Sequence, residues 1–200
     1  MARTIDRLMR VLLFSSLLCL APVQQAAARE APEIEKRIAT LGPGQFIWEP
    51  EGAEAGQVEI VISLGLQKAY IFRSGTLIGA STISSGRPGY ESPIGRFEIL
   101  QKKKMHRSNR YEAAPMPYMQ RLNWYGVALH AGQVPGHPAS HGCIRLPAEF
   151  ARKLFEVTQL GSFVFVAEGE INSPKEALDL ARANALAPVP RDRTPGGAQS

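Results

Sequence analysis

From Val58 onward, apolar residues recur with a period of two. Val58, Ile60, Ile62 and Leu64 share one face while Glu59 and Ser63 take the other, which is the pattern of a half-buried strand. Gly65 and its neighbours predict a turn, Ala69 to Arg73 a second strand, Ser74-Gly75 a tight turn, and Thr76 to Ser84 a third strand. Ser85 to Gly89 breaks this meander, and Arg96 to Gln101 resumes it as a further strand. Ala114 to Met119 reads as an irregular loop and Val127 to His130 as a short strand. After Pro147 the period lengthens: Phe150, Ala151, Leu154, Phe155 and Thr158 share one side of a helix that Gly161 ends. Phe163 to Ala167 is continuously apolar, as expected of a central strand buried on both faces. Ser173, Pro174 and Glu176 stand at the N-cap, N1 and N3 positions of a capping box and open a C-terminal helix that runs to about Leu186.

The ends of the chain break the pattern. Glu30 to Leu41 predicts a short helix or loosely packed leader, stopped by Gly42-Pro43-Gly44, and the turn-like stretch Glu49 to Gly56 marks a domain boundary. Pro188 to Ser200 is rich in Pro, Gly and Arg and predicts a disordered tail. Arg3, Arg7 and Arg10 precede an apolar run, Val11 to Ala21, that is too short to span a membrane comfortably, and Ala26-Ala27-Ala28 offers the small residues of a cleavage site. This is an export signal over 1–28. The order expected is signal peptide 1–28, leader 29–56, catalytic domain 57–168, then a C-terminal helix and tail, 169–200.

Composition adds two constraints. Two hundred residues with 18 Gly and 15 Pro allow one turn-rich, mainly β domain. The formal charge of +5 falls to +3 once Arg3, Arg7, Arg10 and Asp6 leave with the signal. The basic residues form no long tract, which argues against nucleic acid as a partner. Lys102 to Arg110 is basic and includes His106; it reads as a solvated strand end and loop rather than as a positive lip for carboxylates.

The candidate chemistry is concentrated in His130 to Leu146. Three of the four histidines lie there, with Cys143, the one cysteine left when Cys19 departs with the signal. A lone thiol in an oxidising compartment needs a reason, and nucleophilic catalysis supplies one. A neighbouring imidazole takes the thiol proton, and both His130 and His141 qualify by sequence. Gly142 leaves the backbone open to a substrate carbonyl, and the N–H of Cys143, with that of Gly142, suits an oxyanion. Arg145, two residues past the thiol, points to the same side if the stretch is extended; it either binds a substrate carboxylate or pins the loop. A zinc site of His130, His137, His141 and Cys143 is the rival, but its spacing matches no common zinc pattern. His137 reads as a plain loop residue.

Ser140-His141-Gly142-Cys143-Ile144-Arg145-Leu146 resembles the signature of the L,D-transpeptidase (YkuD-type) catalytic domain family. His130 matches the histidine upstream of that signature, and Ser92-Pro93-Ile94-Gly95-Arg96-Phe97 resembles the family's T-P-x-G-x-F stretch, with Ser for Thr. The likeness covers Val58 to Ala167. It implies a mainly β fold, a curved sandwich of mixed sheets with one or two flanking α-helices. It implies a Cys143 nucleophile, His130 as general base with its other ring nitrogen held by a backbone carbonyl, and His141 in support, with Ser140, Gly142 and Arg145 at the substrate. Two departures are an Ala131-Gly132 pair where many members have Gly directly after the histidine, and a shorter spacer to the signature. Both bear on acceptor choice.

The function expected is therefore acyl transfer on peptidoglycan stem peptides. A tetrapeptide donor loses D-alanine, forms a thioester on Cys143 and passes to an amine, giving a 3→3 cross-link. The enzyme is expected in the periplasm or cell envelope, as a monomer without metal or cofactor, and acylated by carbapenem-type inhibitors. A carboxypeptidase on the same substrates and a non-catalytic cell-wall binding protein are the alternatives.

Overall fold

The computed structural model describes residues 33–109 and 113–185. The export signal at 1–28 and the tail from Pro188 lie outside the described residues, and the C-terminal helix, expected to about Leu186, ends at Ala183 with Asn184 as its C-cap. Residues 33–39 are helical (α1).

Period-two alternation becomes two sheets. The first has six strands in the order β1 (Phe46–Trp48), β4 (Thr76–Thr82), β3 (Lys68–Arg73), β2 (Val58–Ser63), β10 (Phe163–Ala167) and β5 (Gly95–Glu98). β2, β3 and β4 form the expected meander; Ser74 and Gly75 both take positive φ, as a two-residue hairpin turn requires. The second sheet orders β6 (Gln101–Lys103), β7 (Met119–Arg121), β8 (Ala128–Ala131) and β9 (Ile144–Leu146). Both sheets are mixed, because β10 runs parallel to β2 and β9 parallel to β8. The fold is mainly β, two mixed sheets with few helices.

One core joins them. Val58, Ile60, Ile62, Ile71 and Ile78 of the first sheet meet Leu129, Ile144 and Leu146 of the second, with Phe150 and Leu154 of α2 (Ala148–Val157). Each such side chain contributes about 1.5–3 kcal/mol on full burial. α3 (Pro174–Ala183) contacts β2 and β3, and the Tyr70 hydroxyl donates to Ile171 O at 2.7 Å, tying the C-terminal segment down. Ser173 caps α3 as expected, accepting from Glu176 N. The Glu176 carboxylate reaches back one residue further, to the N–H of Asn172.

Several expectations need correction. The strand read as Arg96 to Gln101 is two strands in different sheets, with Ile99 and Leu100 carrying the chain from β5 to β6. Alternation alone cannot reveal that the pairing partner changes. Residues 46–48, read as leader, form β1, and Phe46 and Trp48 pack against Phe150, the first ring tilted and the second edge-to-face. Met119–Arg121 is a strand too short to register as a pattern. β10 lies one strand in from the edge and buries one face; Phe163 and Phe165 are half-buried, with the Arg96 guanidinium 3.9 Å from the Phe163 ring centre. α2 ends at Val157, before Gly161. Lys102 stops it, donating to Phe155 O and Thr158 O at 2.6 and 2.5 Å. Part of the basic stretch is thus a helix cap.

Candidate active site

The second sheet places the chemistry by register. Alternation sends Leu129, Ile144 and Leu146 into the core, so Ala128, His130, Cys143 and Arg145 take the opposite face. His130 is paired with Arg145 across the parallel β8–β9 ladder, and continuing that register by one residue sets Cys143 beside Ala128. Arg121 pairs with Ala128 on the other side. One row across the face therefore reads Arg121, Ala128, Cys143, and the next reads Met119, His130, Arg145. Cys143 and His130 are diagonal neighbours, about 8 Å apart at Cα from strand spacing and rise, within reach of an imidazole. These six residues line one cavity of about 590 Å³, which His106, Ser140, His141 and Trp124 also border. No Asp or Glu is among the described residues that line it.

Cys143 is half-buried, and its thiol donates to Gly126 O at 3.4 Å. Burial pushes the thiol pKa up, against the opposing pull of the Ala128 backbone, Arg145 and Arg121. His130 is 8% exposed. Its Nδ1 lies 2.8 Å from Ala131 O, and a carbonyl only accepts, so the ring proton sits on Nδ1 and Nε2 keeps its lone pair. Burial lowers the His130 pKa to about 4; the Ala131 bond opposes this, and Arg145 and His106 add to it. Burial thus favours the uncharged form of both thiol and imidazole.

Backbone bonds from the stretch that follows β4 hold the loop before Cys143. Ser84 exchanges both backbone bonds with Arg145, and Ser85 O accepts from Ala139 N and Ser140 N. Gln67 braces Ser85, accepting from its N–H at 2.9 Å and donating to its hydroxyl at 2.8 Å. Ser140 is 1% exposed; its hydroxyl donates to Cys143 O at 2.5 Å and accepts from Gly142 N at 3.1 Å. Ser140 is thus engaged in shaping the loop. The Gly142 N–H, considered as a second oxyanion donor, is taken by that hydroxyl. Gly142 has φ +103°, a backbone that side chains strain, so glycine is required by conformation. Ser92 closes the far side, accepting from Gly86 N and donating to Gly142 O.

His141 does not share the row of the thiol. Arg87 Nη1 lies 2.7 Å from His141 Nε2, and because guanidinium only donates, that nitrogen is an acceptor. Tyr90 meets the His141 ring edge-on at 4.9 Å, and Arg87 lies 4.3 Å over Tyr90. Desolvation, then Arg87 and Arg145, lower the His141 pKa. His137 is exposed and borders no part of the cavity, so the four residues weighed for zinc do not converge.

Sequence reasoning missed Arg87, Tyr90, Ser92, Arg121 and His106 as neighbours of the site. Arg87 and Ser92 lie in stretches noted only as a break and as a family likeness. Arg121 gave no signal, because its strand has three residues.

Fold and site together define a class: a two-sheet β protein with a thiol and an imidazole on adjacent parallel strands. The family model of the L,D-transpeptidase catalytic domain, YkuD, matches residues 57–166, and the chain belongs to that family. L,D-transpeptidase 1 of Mycobacterium tuberculosis is 27% identical over 128 residues, covering 56% of this chain and 51% of the relative. The chain spans about half the length of the curated relatives it matches. Among solved structures, an L,D-transpeptidase from Stackebrandtia nassauensis aligns with TM-score 0.54 at 24% identity, over 69% of this chain and 66% of that one. One from Mycobacterium tuberculosis H37Rv aligns at 0.53 and 23%, over 56% and 58%. These two share the fold.

Proposed function

We propose that the protein is an exported cysteine L,D-transpeptidase acting on peptidoglycan stem peptides. The observation that carries this is the diagonal placement of Cys143 and His130 on adjacent strands, at the floor of a cavity whose described lining holds arginines and no carboxylate. Cys143 Sγ attacks the carbonyl of the third stem residue while His130 Nε2 takes the thiol proton. The N–H of Cys143 donates to the oxyanion. His130 then returns the proton to the departing D-alanine amine, leaving a thioester. An acceptor amine attacks the thioester, losing its proton to His130, and the thiol is regenerated. Burial favours the neutral form of both groups, which suits a base that takes the thiol proton during attack. Export and a periplasmic or envelope location rest on the signal pattern at 1–28.

An LD transpeptidase has been solved with imipenem, and L,D-transpeptidase 3 of Mycobacterium tuberculosis with a faropenem-derived adduct. A carbapenem is accordingly expected to acylate Cys143 here. The deciding experiment incubates the protein lacking 1–28 with disaccharide-tetrapeptide and reads intact mass and products together. A Cys143 adduct with 3→3 dimer supports the transpeptidase. An adduct with tripeptide alone assigns a carboxypeptidase. Neither adduct nor product sinks the acyl-transfer reading and favours a binding protein.

A further inference from the structure

Arg121 faces the cavity from β7, across Ala128 from the nucleophile, in the row Arg121, Ala128, Cys143. Two strand spacings put its Cα roughly 10 Å from that of Cys143. The sheet residue between them is Ala128, buried under Met116 and Met119, and the guanidinium and the thiol border one cavity from either side of this apolar patch. Arg121 is anchored from behind, its Nε donating to Gln101 Oε1 at 3.1 Å. Trp124, 70% exposed at the rim, has its ring centre 5.6 Å from the guanidinium carbon. Among the described residues, Arg121 makes no ion pair, and its two terminal nitrogens have no other hydrogen bond. A guanidinium with its fork open into a cavity whose described lining holds no acid suits a carboxylate. Arg145 stands on the other side of the thiol, on its own strand.

We propose that Arg121 is a specificity residue that selects acyl donors carrying a free carboxylate within one residue of the attacked carbonyl, against the same donors with that carboxylate amidated. The row geometry carries this. Met116 and Met119 pack on Ala128, so a carboxylate one residue from a carbonyl at Sγ reaches Arg121 along the cavity wall, across that apolar patch. The substrate form of the inference rests on the transpeptidase reading; the anion preference itself does not.

The test therefore has two parts. First, Cys143 of the folded protein is alkylated with iodoacetate and with iodoacetamide. In both, the thiolate displaces iodide to give a thioether, so the ratio of rates cancels the thiolate fraction and reports the charge around Sγ. Relative to a free cysteine derivative, the protein favours iodoacetate, and added salt erodes the preference. Arg121→Gln reduces the preference roughly fivefold, the upper scale for one partly solvated charge contact, while Arg121→Lys keeps most of it. No iodoacetate preference in the unsubstituted protein overturns the proposal whether or not the variants fold. So does a preference unchanged in folded Arg121→Gln. Second, with tetrapeptide donors, Arg121→Gln raises KM for the free carboxylate far more than for its amide and leaves kcat nearly unchanged. Equal effects on both donors overturn the selectivity. No turnover of either donor by the unsubstituted protein, with its iodoacetate preference intact, sinks the transpeptidase reading instead.

Discussion

His130 shows how one buried side chain sets a pH profile. Its pKa falls from 6.5 to about 4 because burial penalises the imidazolium. Above pH 6.5 both the folded and unfolded forms are neutral there, and the group contributes nothing. As pH falls from 6.5 towards 4 the unfolded chain takes up the proton and the folded chain does not, so stability is lost. The full loss, reached below pH 4, is about 3 kcal/mol at 1.36 kcal/mol per unit. His130→Gln should remove this component, and urea denaturation at pH 7 and pH 4 measures it. The acid limb of kcat/KM should likewise lie near pH 4 instead of 6.5. His130→Ala should lower kcat by about 10²–10⁴, the range for a general base. His141→Ala should cost less, since its Nε2 is held by Arg87. The reverse order in steady-state assays would overturn the assignment of the base.

At the scale of the element, β9 separates stability from chemistry residue by residue. Ile144 is buried in the shared core, whereas Cys143 faces the cavity. Ile144→Ala should cost about 2–5 kcal/mol through lost burial and a cavity. Cys143→Ala should stay within about 1 kcal/mol of the parent while abolishing acylation. Parallel denaturation and intact-mass measurements check both. The loop feeding β9 depends on Gly86, where a Cβ would stand 1.9 Å from Tyr90 O, a main-chain atom. Gly86→Ala should therefore displace the 84–87 segment that bonds Arg145 and Ser140, and acylation should drop sharply with far-UV circular dichroism retained.

At the scale of the molecule, each layer has a separate task. The first sheet carries α3 on β2 and β3 and shares the core with the second, whose other face holds His130 and, one residue before β9, Cys143, the nucleophile of the proposed reaction. Tyr70 and Ser63 attach the 169–171 segment to the first sheet by hydrogen bonds to main-chain groups of Ile171 and Gly169. Tyr70→Phe should cost about 1 kcal/mol and speed amide exchange over 171–183. The acylation rate should be unchanged, because none of these groups borders the cavity. A fall in that rate would show that the two layers are coupled.

Local chemistry made much of this readable from the chain. Period-two alternation marked the meander because each strand buries one set of side chains whatever its partner, and the capping box at Ser173 to Glu176 acts within a single turn. The thiol stood out in sequence because Cys143 follows Gly142 in a histidine-bearing loop outside any apolar periodicity, although the fold packs it against Met116, Met119 and Ala128. Pairing is different, since it joins residues far apart in sequence through bonds that no local pattern encodes. The β7–β8–β9 register set His130, thirteen positions from the thiol, beside it, while His141, two positions away, was turned to Arg87. The same register brought Arg121 into the row of Cys143. Folding of the loop gave the Gly142 N–H to Ser140, and a change of partner split one expected strand between two sheets.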